Sequence, residues 1–450
     1  MLLASSITLS LTSILCYKIY LKRHFHKMKN KIHQNYESLI GNTPLLYLKK
    51  LSSLVGGGKK IYVKLESSNP GGTGKDRAAL FMLQNAEEKG YLPPPQSQGN
   101  IEYTSIESKI LKSQQASLDE NDMLLSSIFS AIQRSSTGGI IVEGTSGSTG
   151  ISLSTLAAQR GHSIIIVMPD DQSKEKQTIL KCLGAVLHVV PTASISNPNH
   201  YVNIAQKIAR IINDDFGSYG VKASFMNQFE NEANFLAHYT TTGPEIWQQT
   251  NGNIHAFCMS SGTGGTISGV GKYLKERSKL RNSDCNVCLI DPPGSSLYNK
   301  VKYNVAFASE QSERGLLRHR YDTIAEGIGL DRVTHNFSLG VEYGVFNDAV
   351  RVTDQEAVDF AHWLLKEEGL FVGSSSAMNV IGAVRVAMEM DVNSSVVTVI
   401  CDGGQRHLTR FWNRDFVLGW GLQWPEDDII AWRSRLPLPL QSSRATYSEP

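Results

Sequence analysis

Cysteine is scarce in this chain, and so is any surplus of charge of one sign. Six cysteines are spread over 450 residues, at Cys16, Cys182, Cys258, Cys285, Cys288 and Cys401, too few for a disulfide scaffold. Only Cys285 and Cys288 have metal-like spacing, and no second Cys or His pair stands where a zinc site needs one. Those two cysteines read instead as flanking a buried strand, because Val287, Leu289 and Ile290 form an apolar run that ends at Asp291-Pro292. The 44 basic and 42 acidic side chains leave a net charge of +2, so the basic surplus that phosphate neutralisation of a nucleic acid requires is missing. No internal repeat is visible. What remains, 19% charged and 41% hydrophobic residues, is ordinary globular chemistry with room for two or three domains.

Long apolar runs are lacking too, with one exception at the start. Met1 to Tyr17 carries no charge, Ile19 to Leu21 continue it, and Lys22, Arg23, Lys27, Lys29 and Lys31 follow. About twenty such residues span a bilayer as a helix. The segment therefore predicts a single-pass anchor over 1–21, a basic linker over 22–35, and a chain facing the cytosol. A cleaved signal peptide would carry its positive charge before the apolar run, and a matrix presequence would be Arg-rich throughout. The pattern suits the mitochondrial outer membrane, with the endoplasmic reticulum as the rival address.

From Tyr36 onward, short β-rich runs alternate with helical periodicity. Strands are expected at Lys60 to Leu65, Ile140 to Val142, Ser163 to Met168, Val186 to Val190, Ile254 to Met259, Val287 to Ile290 and Val396 to Ile400. Helices are expected at Lys75 to Lys89, Gly150 to Arg160, Ser173 to Leu183, Tyr201 to Asn213, Ala357 to Glu368 and Ser376 to Met390. That rhythm predicts an α/β protein whose mostly parallel sheets are covered by helices. Residues 93–137 break it: three prolines open a Ser- and Gln-rich stretch that reads as a partly disordered insertion, with Asn121 to Arg134 as its one helix. The last stretch, 417–450, holds Trp420, Trp424 and Trp432 and reads as a tail that docks on the body or on a partner subunit.

Four glycine-rich turns carry the chemistry. Ser260-Ser261-Gly262-Thr263-Gly264-Gly265-Thr266 follows a strand and opens a helix, the arrangement in which backbone N–H groups, a helix amino terminus and threonine hydroxyls cradle a phosphate. It lacks the lysine of a P-loop and the spacing of a dinucleotide fingerprint. Asn69-Pro70-Gly71-Gly72-Thr73-Gly74-Lys75 puts a lysine in the first turn of a helix. The helix dipole disfavours a cation there, which favours the neutral amine a Schiff base needs. Glu143-Gly144-Thr145-Ser146-Gly147-Ser148-Thr149-Gly150 is a second anion site, suited to a carboxylate. Val372-Gly373-Ser374-Ser375-Ser376-Ala377 is again a helix start.

Taken together, these motifs resemble the cysteine synthase and cystathionine β-synthase family of pyridoxal-phosphate enzymes, fold type II. The likeness runs from about Tyr36 to Arg414 and begins with Ile40-Gly41-Asn42-Thr43-Pro44-Leu45. The resemblance implies two three-layer α/β domains of the tryptophan synthase β-like kind: a large one from 36–68 and 229–416, and a small mobile one from 69–228 that carries the insertion. It implies that Lys75 binds pyridoxal 5'-phosphate covalently, that Gly262, Thr263, Gly264, Gly265 and Thr266 hold its phosphate, and that Ser375 meets the pyridine nitrogen. Ser148 stands where the family has an Asn at the cofactor's 3'-oxygen, and Ser376 where it has Gly. Thr145, Ser146 and Thr149 are similar to the substrate carboxylate loop, with Gln228 as its second ligand. Thr242-Gly243-Pro244-Glu245-Ile246-Trp247 is the phrase that follows, and Gly327, in Glu326-Gly327-Ile328-Gly329, lies near the substrate amine.

The implied activity is β-replacement on O-acetyl-L-serine with sulfide, in a homodimer, with no nucleic acid and no metal involved. Alternatives are serine–homocysteine condensation, a desulfurase- or desulfhydrase-like lyase, an amino-acid dehydratase, and a cofactor-binding protein without synthase turnover.

Overall fold

The computed structural model describes residues 33–116, 121–307 and 323–425. Residues 1–39 and 40–450 form separate units; the described part of the first contains one 3-10 turn, Tyr36–Leu39. Among the described residues no helix is long and apolar enough to cross a membrane. The predicted anchor, 1–21, and Trp432 in the tail lie outside them.

Among the described residues of the unit 40–450, ten strands build two sheets. They are β1 (Leu45–Tyr47), β2 (Lys60–Leu65), β3 (Gly139–Gly144), β4 (Ser163–Pro169), β5 (Val186–Val190), β6 (Lys222–Phe225), β7 (Ala256–Ser260), β8 (Asn286–Asp291), β9 (Asp348–Arg351) and β10 (Ser395–Ile400). One sheet has the order β1-β2-β10-β7-β8-β9 and the other β5-β4-β3-β6. Only the edge strand β1 pairs antiparallel; every other pairing is parallel. The seven expected strands are all present. Three were not expected, and β1, β6 and β9 are three or four residues long and half-exposed in part, too short to show a period.

Alternation along the six-stranded sheet sorts its side chains onto two faces. Ile61, Val63, Ala256, Cys258, Cys288 and Ile290 pack with the Asp354–Trp363 and Ser374–Glu389 helices. Phe257, Met259, Val287, Leu289, Val397 and Val399 face the Gly265–Lys279 helix on the other side. Cys288 thus sits inside a strand and Cys285 just before it, both buried, and desolvation pushes each thiol up to about 12.

The insertion is structured where it is described. Residues Tyr103–Ala116 and Asn121–Arg134 are both helices, and Ile106, Ile110, Leu124, Ile128, Ala131 and Ile132 pack with the Tyr201–Phe216 helix over one face of the four-stranded sheet. The disordered reading is corrected. Thr104, Glu107 and Ser108, exposed on the outward face, diluted a period that Ile106 and Ile110 in fact keep at four-residue spacing. The opposite face of this sheet is covered by Ser148–Arg160, against which the Lys75–Glu88 helix packs. At the carboxyl terminus Trp424 stands edge-on to His362, with ring centroids 4.6 Å apart, so the described part of the tail docks on the body.

Candidate active site

Parallel strands bring their carboxyl ends to the same side, and loops leaving those ends are where open α/β sheets bind ligands. Here the loops after β2, β3, β4, β7 and β10 converge on one cavity of about 750 Å³. Of the residues singled out in the sequence, Lys75, Ser146, Ser148, Thr149, Gln228, Gly262, Thr263, Gly264, Thr266, Gly327 and Ser375 line it. Thr145 and Gly265 do not. Thr145 is 1% exposed and its hydroxyl accepts from the Gly147 N–H at 3.1 Å, so it shapes the loop from behind. Gly265 packs on Asn234, whose side-chain oxygen leaves no room for a Cβ.

The Gly262–Thr266 turn fits a phosphate. It opens the Gly265–Lys279 helix, whose first N–H groups lack intrahelical partners. Gly264 has φ +87°, and a Cβ there would stand 2.6 Å from the Phe337 nitrogen. A Cβ on Gly262 would collide with the Gly327 carbonyl. The hydroxyls are arranged as well. Asn234 Nδ2 donates to Thr263 Oγ1 at 2.9 Å, which leaves that hydroxyl's own proton to give. Thr266 Oγ1 meets His238 Nε2 at 3.0 Å; burial depresses that imidazole to about 3, so it is neutral. The buried hydroxyls of Ser260 and Ser261 have no partner among the described residues.

Lys75 begins the Lys75–Glu88 helix directly after the Thr73-Gly74 turn. Asp76 ties this turn down: its Oδ2 accepts from Gly71 N at 2.6 Å and its Oδ1 from Ser152 at 2.5 Å, while burial raises its pKa to about 6. Beside Lys75 lie Ser375 and Cys401, whose thiol is pushed up to about 11 by burial and is neutral. Ser376, the departure from the family pattern, faces away from the cavity. Its hydroxyl accepts the N–H of Cys401 at 2.9 Å and so pins the helix to the end of β10. Across the cavity Thr149 donates to Gln228 Oε1 at 2.6 Å, and Gln228 Nε2 donates to the Gly144 carbonyl at 3.3 Å, joining the two halves of the expected carboxylate site.

Two clusters were missed by sequence reasoning. In the first, Arg77, 1% exposed, pairs through Nε with Glu66 at 2.8 Å and through Nη1 with Glu245 at 2.6 Å. Burial alone would raise Glu66, but the guanidinium outweighs it and holds the carboxyl at about 2. Thr43 donates to Glu66 Oε1 at 2.7 Å, Asn42 N donates to Glu245 at 2.9 Å, and Lys64 bonds both Glu245 and the Thr43 carbonyl. The Gly-Asn-Thr-Pro and Gly-Pro-Glu-Ile-Trp phrases therefore meet on one side chain. In the second, Glu326 is shared by Lys176, Arg410 and His407, and His407 Nε2 also meets Asp402 at 3.1 Å. The signal available in the sequence was only the recurrence of charge at helix starts and strand ends.

This geometry belongs to a class with a name. Residues 36–105 and 121–402 match the family described as pyridoxal-phosphate dependent enzyme, and the chain belongs to that family. Among its curated relatives, cysteine synthase 2 of Schizosaccharomyces pombe is 41% identical over 85% of this chain and 84% of its own length. Cysteine synthase 2 of Neurospora crassa is 42% identical over 88% of this chain and 77% of its own. A solved O-acetylserine dependent cystathionine β-synthase from Helicobacter pylori is 25% identical with a TM-score of 0.63, covering 84% of this chain and 98% of that one. Within the segment 93–137, residues 106–120 fall in the gap of the family match.

Behind the carboxylate loop, Glu143 is wholly buried. The N–H groups of Asn227 and Gln228 favour its charge, but desolvation wins and lifts it to about 8. A carboxyl raised from 4.5 binds its proton more tightly folded than unfolded, so its contribution is whole below about pH 4.5 and is lost as pH rises to about 8. Glu143→Gln is expected to remove that loss. Melting curves across this range should show the variant gaining on the wild type with rising pH, and a constant difference would contradict the assignment.

Proposed function

We propose that the chain catalyses β-replacement on an activated L-serine, O-acetyl-L-serine, with sulfide, giving L-cysteine and acetate. The observation that carries this is the meeting, in one cavity, of a lysine at a helix start, a glycine cradle on a second helix and a hydroxyl loop on a third. The curated relatives named as cysteine synthases support it over most of their length.

Lys75 Nζ would hold pyridoxal phosphate covalently, with its phosphate on Gly262, Thr263, Gly264 and Thr266, its ring nitrogen at Ser375 and its ring oxygen toward Ser148. Gly265 serves that cradle by letting Asn234 approach. Bound there, the cofactor supplies the electron sink that acidifies an amino acid's Cα–H. The remaining work belongs to the chain. Ser146, Thr149 and Gln228 bind the substrate carboxylate at the start of the Ser148–Arg160 helix, where the dipole favours an anion. Thr145 holds that loop's shape, and the Gly327 turn receives the amine. Once the substrate amine has taken its place, the freed Lys75 Nζ takes the Cα proton, acetate leaves Cβ with its bonding pair, hydrosulfide supplies the new C–S bond, and Lys75 returns the proton to Cα. Serine at the ring nitrogen is a weak acid, which favours elimination and replacement over transamination.

Residues 69–228, which include the four-stranded sheet, act in this reading as the smaller domain, closing on 36–68 and 229–416 to exclude water. The working form is a homodimer by family habit. Met1 to Leu21 anchors the chain in a membrane, supported by the charge-free stretch Met1 to Tyr17 and the basic flank after Leu21; the name of a Saccharomyces cerevisiae relative, 40% identical over 88% of this chain and 87% of its own length, includes the words mitochondrial cysteine synthase. One observation favours a second reading: Ser148 is shorter than an amide, so contact with the ring oxygen needs a bridging water, and a cofactor-binding protein without synthase turnover follows if that bridge fails.

Absorbance of the reconstituted full chain separates the two. The visible band should shift on adding O-acetylserine and return with sulfide, as cysteine and acetate appear in equal amounts. A band that never moves would leave the second reading. Lys75→Ala should lose the band and slow turnover by at least about 100-fold. For the anchor, a chain lacking 1–21 should leave the membrane fraction, and persistent association would refute it.

A further inference from the structure

Glu326 is the most heavily shared carboxylate at the cavity, and the mechanism above leaves it unused. Its side chain is 4% exposed. It forms an ion pair with Lys176, itself 3% exposed, and stands 3.1 Å from Arg410 Nε and 3.8 Å from His407 Nδ1. Burial by itself would raise the carboxyl, and the charge of Lys176 foremost, with Arg410 beside it, holds it low instead.

What Glu326 and Lys176 connect matters more than their charge. Lys176 comes from the Lys174–Cys182 helix, which packs on Ser148–Arg160 and on β5, on the side of the four-stranded sheet. On its way to Glu326 its stem crosses the carboxylate loop: Gly147 has φ +127°, and a Cβ there would lie 2.7 Å from Lys176 Cδ. Glu326 belongs to the other side. Its N–H donates to Ser374 Oγ at 3.2 Å, one residue before Ser375. The next residue, Gly327, fills with its carbonyl the space that a Cβ on Gly262 would need, and Ser146 Oγ is its own nearest listener across the cavity, 3.8 Å from where its Cβ would point. One buried ion pair therefore ties the loop of Ser146 and Gly147 to the turn that abuts Gly262 and Ser374.

We propose that Lys176 and Glu326 form a positioning pair that sets the distance between the carboxylate loop and the Gly327 turn, so that an amino acid held by one is presented to the other. Neither side chain touches the reacting atoms. The inference rests on the amino-acid-binding reading above and adds to it the residues that couple its two halves. The charges also predict an order of severity. Without Lys176, Glu326 keeps Arg410 and His407; without Glu326, Lys176 is left a buried cation with no counter-charge within the cluster but Asp402.

The test uses the full chain with Lys176→Met, Glu326→Gln and the double variant. Lys176→Met should raise KM for O-acetylserine by about tenfold with kcat changed less, and Glu326→Gln should lower kcat/KM by about 100-fold, the scale set by a misplacement near 1 Å. The double variant should be no worse than Glu326→Gln, because the two act as one unit. Affinity of the apo-protein for pyridoxal phosphate should stay unchanged in all three. Additive losses, or cofactor affinity falling in step with activity, would overturn the proposal and leave the pair merely structural. If the wild type itself gives no response to O-acetylserine, the proposed function has failed and hydrogen exchange of the apo-protein decides the pair: Lys176→Met should speed exchange in 144–149 and 325–329 together, and a change confined to one segment would contradict the coupling.

Discussion

A guanidinium that water barely reaches holds the site together. Arg77 lies two residues beyond Lys75, and its fork takes Glu66 at the end of β2 on one side and Glu245 on the other. Buried charges are costly to desolvate, and such networks are a poor source of net stability. Their worth is geometric, because a planar fork with two carboxylates admits one arrangement. That arrangement fixes the first turn of the Lys75–Glu88 helix against β2, and Thr43 and Asn42 complete it from the loop before β1. Lys75 therefore emerges from a turn whose far side is clamped, while Asp76, Gly71 and Ser152 clamp its near side.

The two sheets contribute different chemistry, and each confronts an electrostatic problem at the cavity wall. The six-stranded sheet delivers the Gly262–Thr266 turn, Ser375 and the Cys401 thiol, which burial keeps neutral. The four-stranded sheet delivers the carboxylate loop, behind which Glu143 is kept protonated by burial; an ionised carboxylate there would oppose the substrate's own. On the cavity wall Lys176, Glu326 and Arg410 neutralise one another, the first two of them buried. Arg410 lies 4.6 Å from the Phe416 ring, and Trp420 of the tail also lines the cavity.

How much of this was legible follows from how far apart the partners lie in the chain. The glycine loops could be read because strand, turn and helix are contiguous, as in Ala256–Ser260, Gly262–Gly264 and Gly265–Lys279. Seven strands showed apolar runs long enough to recognise, whereas β6, with Lys222 exposed at its start, offered four residues and no pattern. The Arg77 network could not be read at all, since Glu66 is 11 positions away and Glu245 168. Only the co-occurrence of two family phrases hinted that they touch. Gly265 reads from the sequence as one more cradle glycine, and only the fold shows that the space beside its Cα is taken by the side chain of Asn234. The helix at Tyr103–Ala116 was hidden by its polar outward face.

The account stands most directly on the claim that the fork of Arg77, and not its charge alone, sets the lysine turn. Arg77→Lys keeps the charge and removes the bidentate geometry. Equilibrium unfolding together with a pyridoxal-phosphate titration of the apo-protein measures both consequences. The account predicts a loss of roughly 1.5–3 kcal/mol, the scale of a hydrogen bond to a charged group, and weaker cofactor binding in the protein that remains folded. An unchanged unfolding midpoint with unchanged cofactor affinity would contradict it.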